Sequence, residues 1–348
     1  MDTEILFAAA TDHLYMNASH TLDFVNKALE TLEHVGSEAW NASDTSGERS
    51  DPRVEHADSV LASVIPQITG GSRAEETSSW RTPVDIAELC FDAADLLPDL
   101  VAAGEGKTWE RPDDFVETIL ADDPAATIDA LTEAIREGAT QTQLADAVAR
   151  AATHRVAHFA TSNEFGDWDT AHHTLTYANA VHRATAKTDA TELYRACFDG
   201  AMSVYLDRFL NTPPAPVPEP GDGDTSRDPA DVREDLLACF DEQGEVDRAG
   251  RLVNEHFDAG GDPADLKRVL GRGLLREDAD FHTIQNVEAG FQRFDSVDEA
   301  GDSERDRRLA LIAPARYLAA HTPTRREAEQ TFGIATRLHR GERLHEAE

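Results

Sequence analysis

The stretch Thr153–Ala184, THRVAHFATSNEFGDWDTAHHTLTYANAVHRA, decides how the chain is read. Successive helix residues turn by roughly 100°, so His154 and His158 fall one turn apart on one face. The run Asn163–Trp168 predicts a break with Gly166 at the turn, and a second helix capped by Asp169 or Thr170. On that helix Asp169, His172, Asn179 and His182 share an arc of roughly 140°, with His173 and Tyr177 beside it. Two helices joined this way pack antiparallel and can aim both histidine sets at one cleft. Imidazole suits iron, zinc, copper or nickel, and two histidines with a carboxylate form a recurrent open iron site. The competing reading makes the same side chains helix contacts or solvent-facing residues. A ferritin-like di-iron centre is excluded by spacing, because the chain's one Glu-x-x-His is Glu342–His345.

Helical spacing continues on both sides of this stretch. Residues 4–35 read as one helix with a Leu14, Ala18, Leu22, Val25, Leu29 core stripe, and His13, Asn17 and His20 on another face. Ser37–Pro52 reads as a polar loop. A helix over 54–65 is expected to end at Pro66, and residues 70–83 to form a loop held by ion pairs. Helices follow over 84–97, 113–120, 125–137, 141–160 and 189–210, with 99–112 a looser connection. Thr140 and Gln143 are placed to form a capping box. The run PPAPVPEPGDGDTSRD (213–228) reads as a stiff, exposed connector ending in an Asp228–Pro229 helix start. Six more helices are expected between 229 and 340. The fold class is therefore all-α, with no significant sheet. The parts are a helical domain over 1–210, the connector over 211–228, and a helical part over 229–348.

Charge narrows the partners. Against 32 basic residues stand 67 acidic ones, a net charge of −35. Such a field disfavours nucleic acid and anionic membrane as partners. It resembles the acidic, Lys-poor composition of salt-in halophiles, where molar salt screens the repulsion. Cys90, Cys197 and Cys239 form no C-x-x-C pair and read as small core residues. No apolar run reaches the ~18 residues of a membrane span, and the amino terminus lacks a basic leader. A cytoplasmic protein is expected.

The segments HTLDFVNKALETLEHVG, SRAEETSSWRTPVD, the central His-rich stretch and LLREDADFHTIQNVEAGF together resemble a helical region of uncharacterised bacterial and archaeal proteins. Some of those carry an attached Rieske-type iron–sulphur domain. The resemblance implies a redox reaction beside an electron carrier. A Rieske cluster needs Cys-x-His and Cys-x-x-His ligands, and no Cys here has a His at either spacing. Electrons would then come from a separate Rieske-type ferredoxin partner. The leading functional expectation is a metal-dependent oxidoreductase-like enzyme acting on a small-molecule substrate. Its metal, iron or zinc, is expected on ligands drawn from His154, His158, Glu164, His172, His182, His13, His20 and His282. His173, Tyr177 and Asp169 are the acid–base candidates. The alternative is a non-catalytic helical scaffold that binds a protein partner.

Overall fold

The computed structural model describes residues 3–35, 52–77, 83–300 and 303–343. The fold is all-α, and no strand occurs among the described residues. No helix among them is long and apolar enough to cross a membrane. The polar loop expected over 37–52 lies almost entirely outside the described residues, as do residues 78–82 of the expected ion-paired loop.

The chain divides into two compact units. The first comprises Met1–Ala152 with His173–Phe209, the second Thr153–His172 with Leu210–Glu348. In the first unit lie α1 (Thr3–Ala10), α2 (His20–Val35), α3 (Pro52–Thr69), the single turn α4 (Ala74–Thr77), α5 (Ile86–Asp95), α6 (Leu97–Gly104), α7 (Phe115–Leu120) and α8 (Pro124–Arg136). Most of α9 (Gln141–Ala157), the later part of α10 (Phe165–Ala184) and α11 (Leu193–Asp207) complete it.

The core of this unit forms where apolar positions at helical spacing meet. Phe7, Leu22, Val25, Ile119, Leu131, Leu144, Phe198 and Met202 are all essentially inaccessible. Each such side chain contributes roughly 1.5–3 kcal/mol by leaving water. Nearly every residue of α11 is buried, the mark of a helix at the centre of its unit. The capping box forms as expected: Gln143 N donates to Thr140 Oγ1 (3.2 Å) and Thr140 N to Gln143 Oε1 (3.0 Å). α6 reaches α8 so closely that a Cβ on Gly104 would stand 2.3 Å from Ile135 O.

Four boundaries differ from the sequence expectation. The helix expected over 4–35 breaks between Ala10 and His20, where Tyr15, Asn17, Ala18 and Ser19 take left-handed backbone (φ +47° to +79°). Pro66 does not end α3, which runs on to Thr69. Gly166 is not a turn, since α10 already starts at Phe165 and holds Asp169 inside it. The looser connection expected from Asp99 is helical to Gly104.

The second unit contains α12 (Pro229–Cys239), α13 (Val246–Asp258), α14 (Pro263–Arg276), α15 (Phe281–Ala300), α16 (Glu304–His321) and α17 (Glu327–His339). Asp228 caps α12 by accepting from Ala230 N (2.8 Å), with Pro229 at its first position, as the sequence predicts. Asp262 and Ser303 cap α14 and α16. α16 packs against α13 and α15 and is buried continuously from Arg308 to Ala319. A Cβ on Gly290 of α15 would stand 2.5 Å from Pro314 Cγ, so glycine is what lets α15 reach α16.

The Pro-rich segment is largely exposed, as its composition predicts, and is held at a few points along its length. Ala215 is buried and its N–H donates to His158 O (2.8 Å). The Asp258 carboxylate accepts from the amides of Gly221 (2.9 Å) and Gly223 (2.8 Å). Composition carries no sign of these anchors, which tie the N–H groups of Ala215, Gly221 and Gly223 to fixed acceptors.

Candidate functional site

The histidines singled out above separate into groups, each with its own partners. In the first unit, His20 begins α2 and His173 lies on α10, and their Nε2 atoms stand 3.1 Å apart with the rings edge to face. Phe24, one turn along α2, stacks on His20 at 5.7 Å. His182 is part-buried in the same unit. Tyr177 is buried, its hydroxyl 3.5 Å from Asp199 Oδ2, and burial together with the Asp199 charge pushes that phenol well up. It therefore holds its proton and serves as a donor.

His13 has left the helix on which it was expected and sits in the turn between α1 and α2. Its Nδ1 lies 2.7 Å from Glu75 Oε1, and Leu14 N donates to Glu75 Oε2 (3.2 Å). A carboxylate only accepts, so His13 donates to Glu75 through Nδ1–H. The turn is held by Asn17: its N–H donates to Ser72 O (3.0 Å), its Oδ1 accepts from Ser72 N (3.0 Å), and its Nδ2 donates to Gln67 O (3.0 Å). These bonds keep ordinary L residues in left-handed backbone that costs roughly 1–2 kcal/mol each. Ala18 is exposed and makes no side-chain bond, so Ala18→Gly is expected to raise stability by about 1 kcal/mol. Urea melts of the two proteins check this, and a lower midpoint for the glycine form would refute it.

In the second unit, His172 is fully buried, with Nδ1 3.3 Å from Asn286 Nδ2. The His282 ring stands edge-on at 5.2 Å and the Tyr317 ring at 5.4 Å. Tyr317 donates to Asp169 Oδ1 (2.8 Å), and His321 Nε2 lies 3.4 Å from the same oxygen, at ion-pair distance but outside hydrogen-bond geometry. His321 Nδ1 donates to Tyr317 O (2.8 Å), and burial lowers the affinity of this imidazole for a second proton. His282 Nδ1 sits 3.3 Å from Asp280.

His154 and His158 share a face, as their spacing predicts, with ring centroids 6.4 Å apart. His154 Nε2 meets Asp306 Oδ1 at 2.9 Å, and His158 Nδ1 donates to Ala215 O (3.0 Å). Burial holds His158 below the usual imidazole range, so it is neutral near pH 7 with Nε2 as its acceptor nitrogen. Glu164 is exposed.

Sequence reasoning missed Glu75 as the partner of His13 and Asn286, which it set beside His282, as the partner of His172; it missed Asp199 and Tyr317 altogether. Asp199 could have been found, because it is an acid on the apolar side of α11 between Cys197 and Met202. No family model, no curated protein and no solved structure matches the chain. The class that fold and site define is therefore an all-α protein with paired, carboxylate- and carbonyl-oriented histidines.

Proposed function

We propose that the protein is a histidine-ligated, metal-dependent enzyme of oxidoreductase type, acting on a small molecule with electrons from a separate Rieske-type ferredoxin. The observation that carries the metal part is the His20–His173 pair. Two imidazoles bound to one ion at about 2.0–2.1 Å, with N–metal–N angles of about 90–110°, have nitrogens roughly 2.9–3.4 Å apart. The 3.1 Å separation fits that bite. Iron at this pair would serve redox chemistry, whereas zinc would serve only as a Lewis acid. The redox and ferredoxin parts rest on the family resemblance, and a cytoplasmic location on three unbridged, buried thiols.

The test is elemental analysis of the tag-free chain purified in molar KCl, beside a His20→Ala/His173→Ala variant. About one equivalent of iron or zinc, lost in the variant, is expected. No metal in either protein, with helicity intact, sinks this reading. The scaffold reading has its own observation: α17 buries none of its residues and exposes Phe332, Ile334 and Leu338. Such an apolar helix face is what a protein partner would cover.

A further inference from the structure

Within the first unit a cavity of about 250 Å³ is lined by residues of the α1–α2 turn, α5 and α11. Its polar wall carries His13, Asp199 and Arg195; Leu14 and Ala94 form an apolar wall, and Asp12 and Asp95 lie at the exposed rim. Each polar group is set differently. His13 is gripped through Nδ1 by Glu75, and its Nε2 lies 3.7 Å from Asp12 Oδ2. Asp199 is 5% exposed. Burial, with the Glu75 charge adding to it, pushes its carboxyl well above the usual range against the opposing bonds from Tyr177 and the Tyr15 amide and the charge of Arg195. The Arg195 guanidinium makes no hydrogen bond among the described residues, and its nearest carboxylate is Asp12 Oδ1 at 3.9 Å. Burial also pushes the Cys90 thiol well up, so it serves as wall and not as nucleophile.

An imidazole held by a carboxylate, a buried carboxyl and a guanidinium without a hydrogen bond, all lining one small cavity, are the parts of a proton-transfer site. We propose that this cavity is an enolisation site for small 2-oxo monocarboxylates, with His13 as the base, Asp199 as the proton donor and Arg195 as the carboxylate anchor. His13 Nε2 takes the proton from the C–H next to the carbonyl. The electron pair of that bond forms the C=C bond, the carbonyl π pair moves to oxygen, and that oxygen takes the Asp199 proton. Keto acid becomes enol with no atom lost, and solvent carries the proton from imidazolium back to the Asp199 carboxylate. No oxidant, metal or cofactor enters the balance. Asp12 and Asp95 at the rim oppose a second negative charge, which selects monocarboxylates over dicarboxylates. The left-handed turn fits this role, since strained backbone is kept where it sets functional side chains.

The experiment is solvent exchange into pyruvate: the full chain is incubated with pyruvate in D₂O, and loss of the methyl proton signal is followed by NMR. Exchange above the buffer rate is expected. His13→Gln should slow it about 100-fold or more, and Asp199→Asn by a similar factor. Arg195→Met should raise the half-saturating pyruvate concentration at least about tenfold, with a smaller effect at saturation. His339→Ala, at an exposed position on α17, should leave the rate unchanged. If Asp199→Asn fails to fold, the His13→Gln and Arg195→Met results still decide. Wild-type exchange at the buffer rate overturns the proposal even if pyruvate binds. So does exchange that persists in His13→Gln, or exchange that a chelator abolishes and added metal restores. The last result would instead assign the reaction to the metal centre.

Discussion

Asp258→Ala is expected to cost the second unit roughly 3–5 kcal/mol, the range found when one partner of a buried ion pair is removed. The Asp258 and Arg308 side chains are 4% and 8% exposed, with Nη1 2.5 Å from Oδ1. The same carboxylate accepts from Gly221 N, Gly223 N and Asn254 Nδ2 (3.0 Å). Its loss leaves two backbone amides without that acceptor and takes one of two carboxylates from a buried guanidinium, which keeps Glu304 Oε1 (2.9 Å) and Asn254 Oδ1 (2.7 Å), so the cost belongs at the low end of that range. By contrast, the Arg305–Glu219 pair beside the same segment is exposed at both ends and is worth at most about 1 kcal/mol. The Pro-rich segment should consequently loosen in Asp258→Ala and stay in place in Arg305→Ala. Hydrogen exchange read by mass spectrometry resolves this locally, which matters because a chain with two units need not unfold in one step. Unchanged protection over 216–224 in Asp258→Ala would sink the argument.

The pH dependence has a definite sign. Burial alone would raise the Asp258 carboxyl, but Arg308 and the amides of Gly223 and Gly221 outweigh it and hold it below its ordinary value. A depressed acid contributes stability that is fully present above the unfolded value of about 3.9 and is lost as pH falls through the folded value. The second unit should therefore weaken below about pH 4, and less steeply in Asp258→Asn, where this group no longer titrates.

Helix content and several starts were legible because they depend on neighbours a few residues away. Thr140 with Gln143, and Asp228 with Pro229, carry their capping chemistry within four residues. The break at 11–19 was not legible, because its apolar residues keep helical spacing through it and four non-glycine residues there accept left-handed backbone. What imposes that backbone is Asn17 bonded to Gln67 and Ser72, about fifty residues along the chain. The anchoring of the Pro-rich segment was not legible for the same reason: its exposure follows from composition, but what pins it is a carboxylate in α13.

The candidate site follows the same rule. His154 and His158 share a face as read, but the groups that fix their tautomers, Asp306 and Ala215 O, come from far along the chain. His13 was noticed as one of a helical stripe with Asn17 and His20, and its real partner is Glu75 in a separate short turn. Residue type flagged where chemistry was available. Pairing required the fold.

Removing Asp247 should be more damaging than replacing the buried arginine it holds, and the second change should rescue the first. Arg316 is 1% exposed, with Nη1 2.6 Å from Asp247 Oδ1 and Nη2 2.7 Å from Phe159 O and 3.1 Å from Thr161 Oγ1. Thr161 Oγ1 also donates to Asp247 Oδ1 (2.6 Å), so one carboxylate oxygen closes the network. Asp247→Ala leaves a guanidinium, which cannot shed its charge, buried with neutral acceptors alone. The cost belongs at the low end of roughly 3–5 kcal/mol, because the Asp247 side chain is 40% exposed and water already screens the pair. Arg316→Met removes the charge and keeps most of the volume against the neighbouring Trp168 and Gly250. It strands only the Phe159 carbonyl, about 1–3 kcal/mol, while the Thr161 hydroxyl keeps its bond to Asp247 and Asp247 rehydrates. In the Asp247→Ala/Arg316→Met protein no buried charge remains, so it should be more stable than Asp247→Ala alone. Urea midpoints for the four proteins of this double-mutant cycle measure the coupling directly. Additive losses would mean that the Arg316 charge is already neutralised by something other than Asp247.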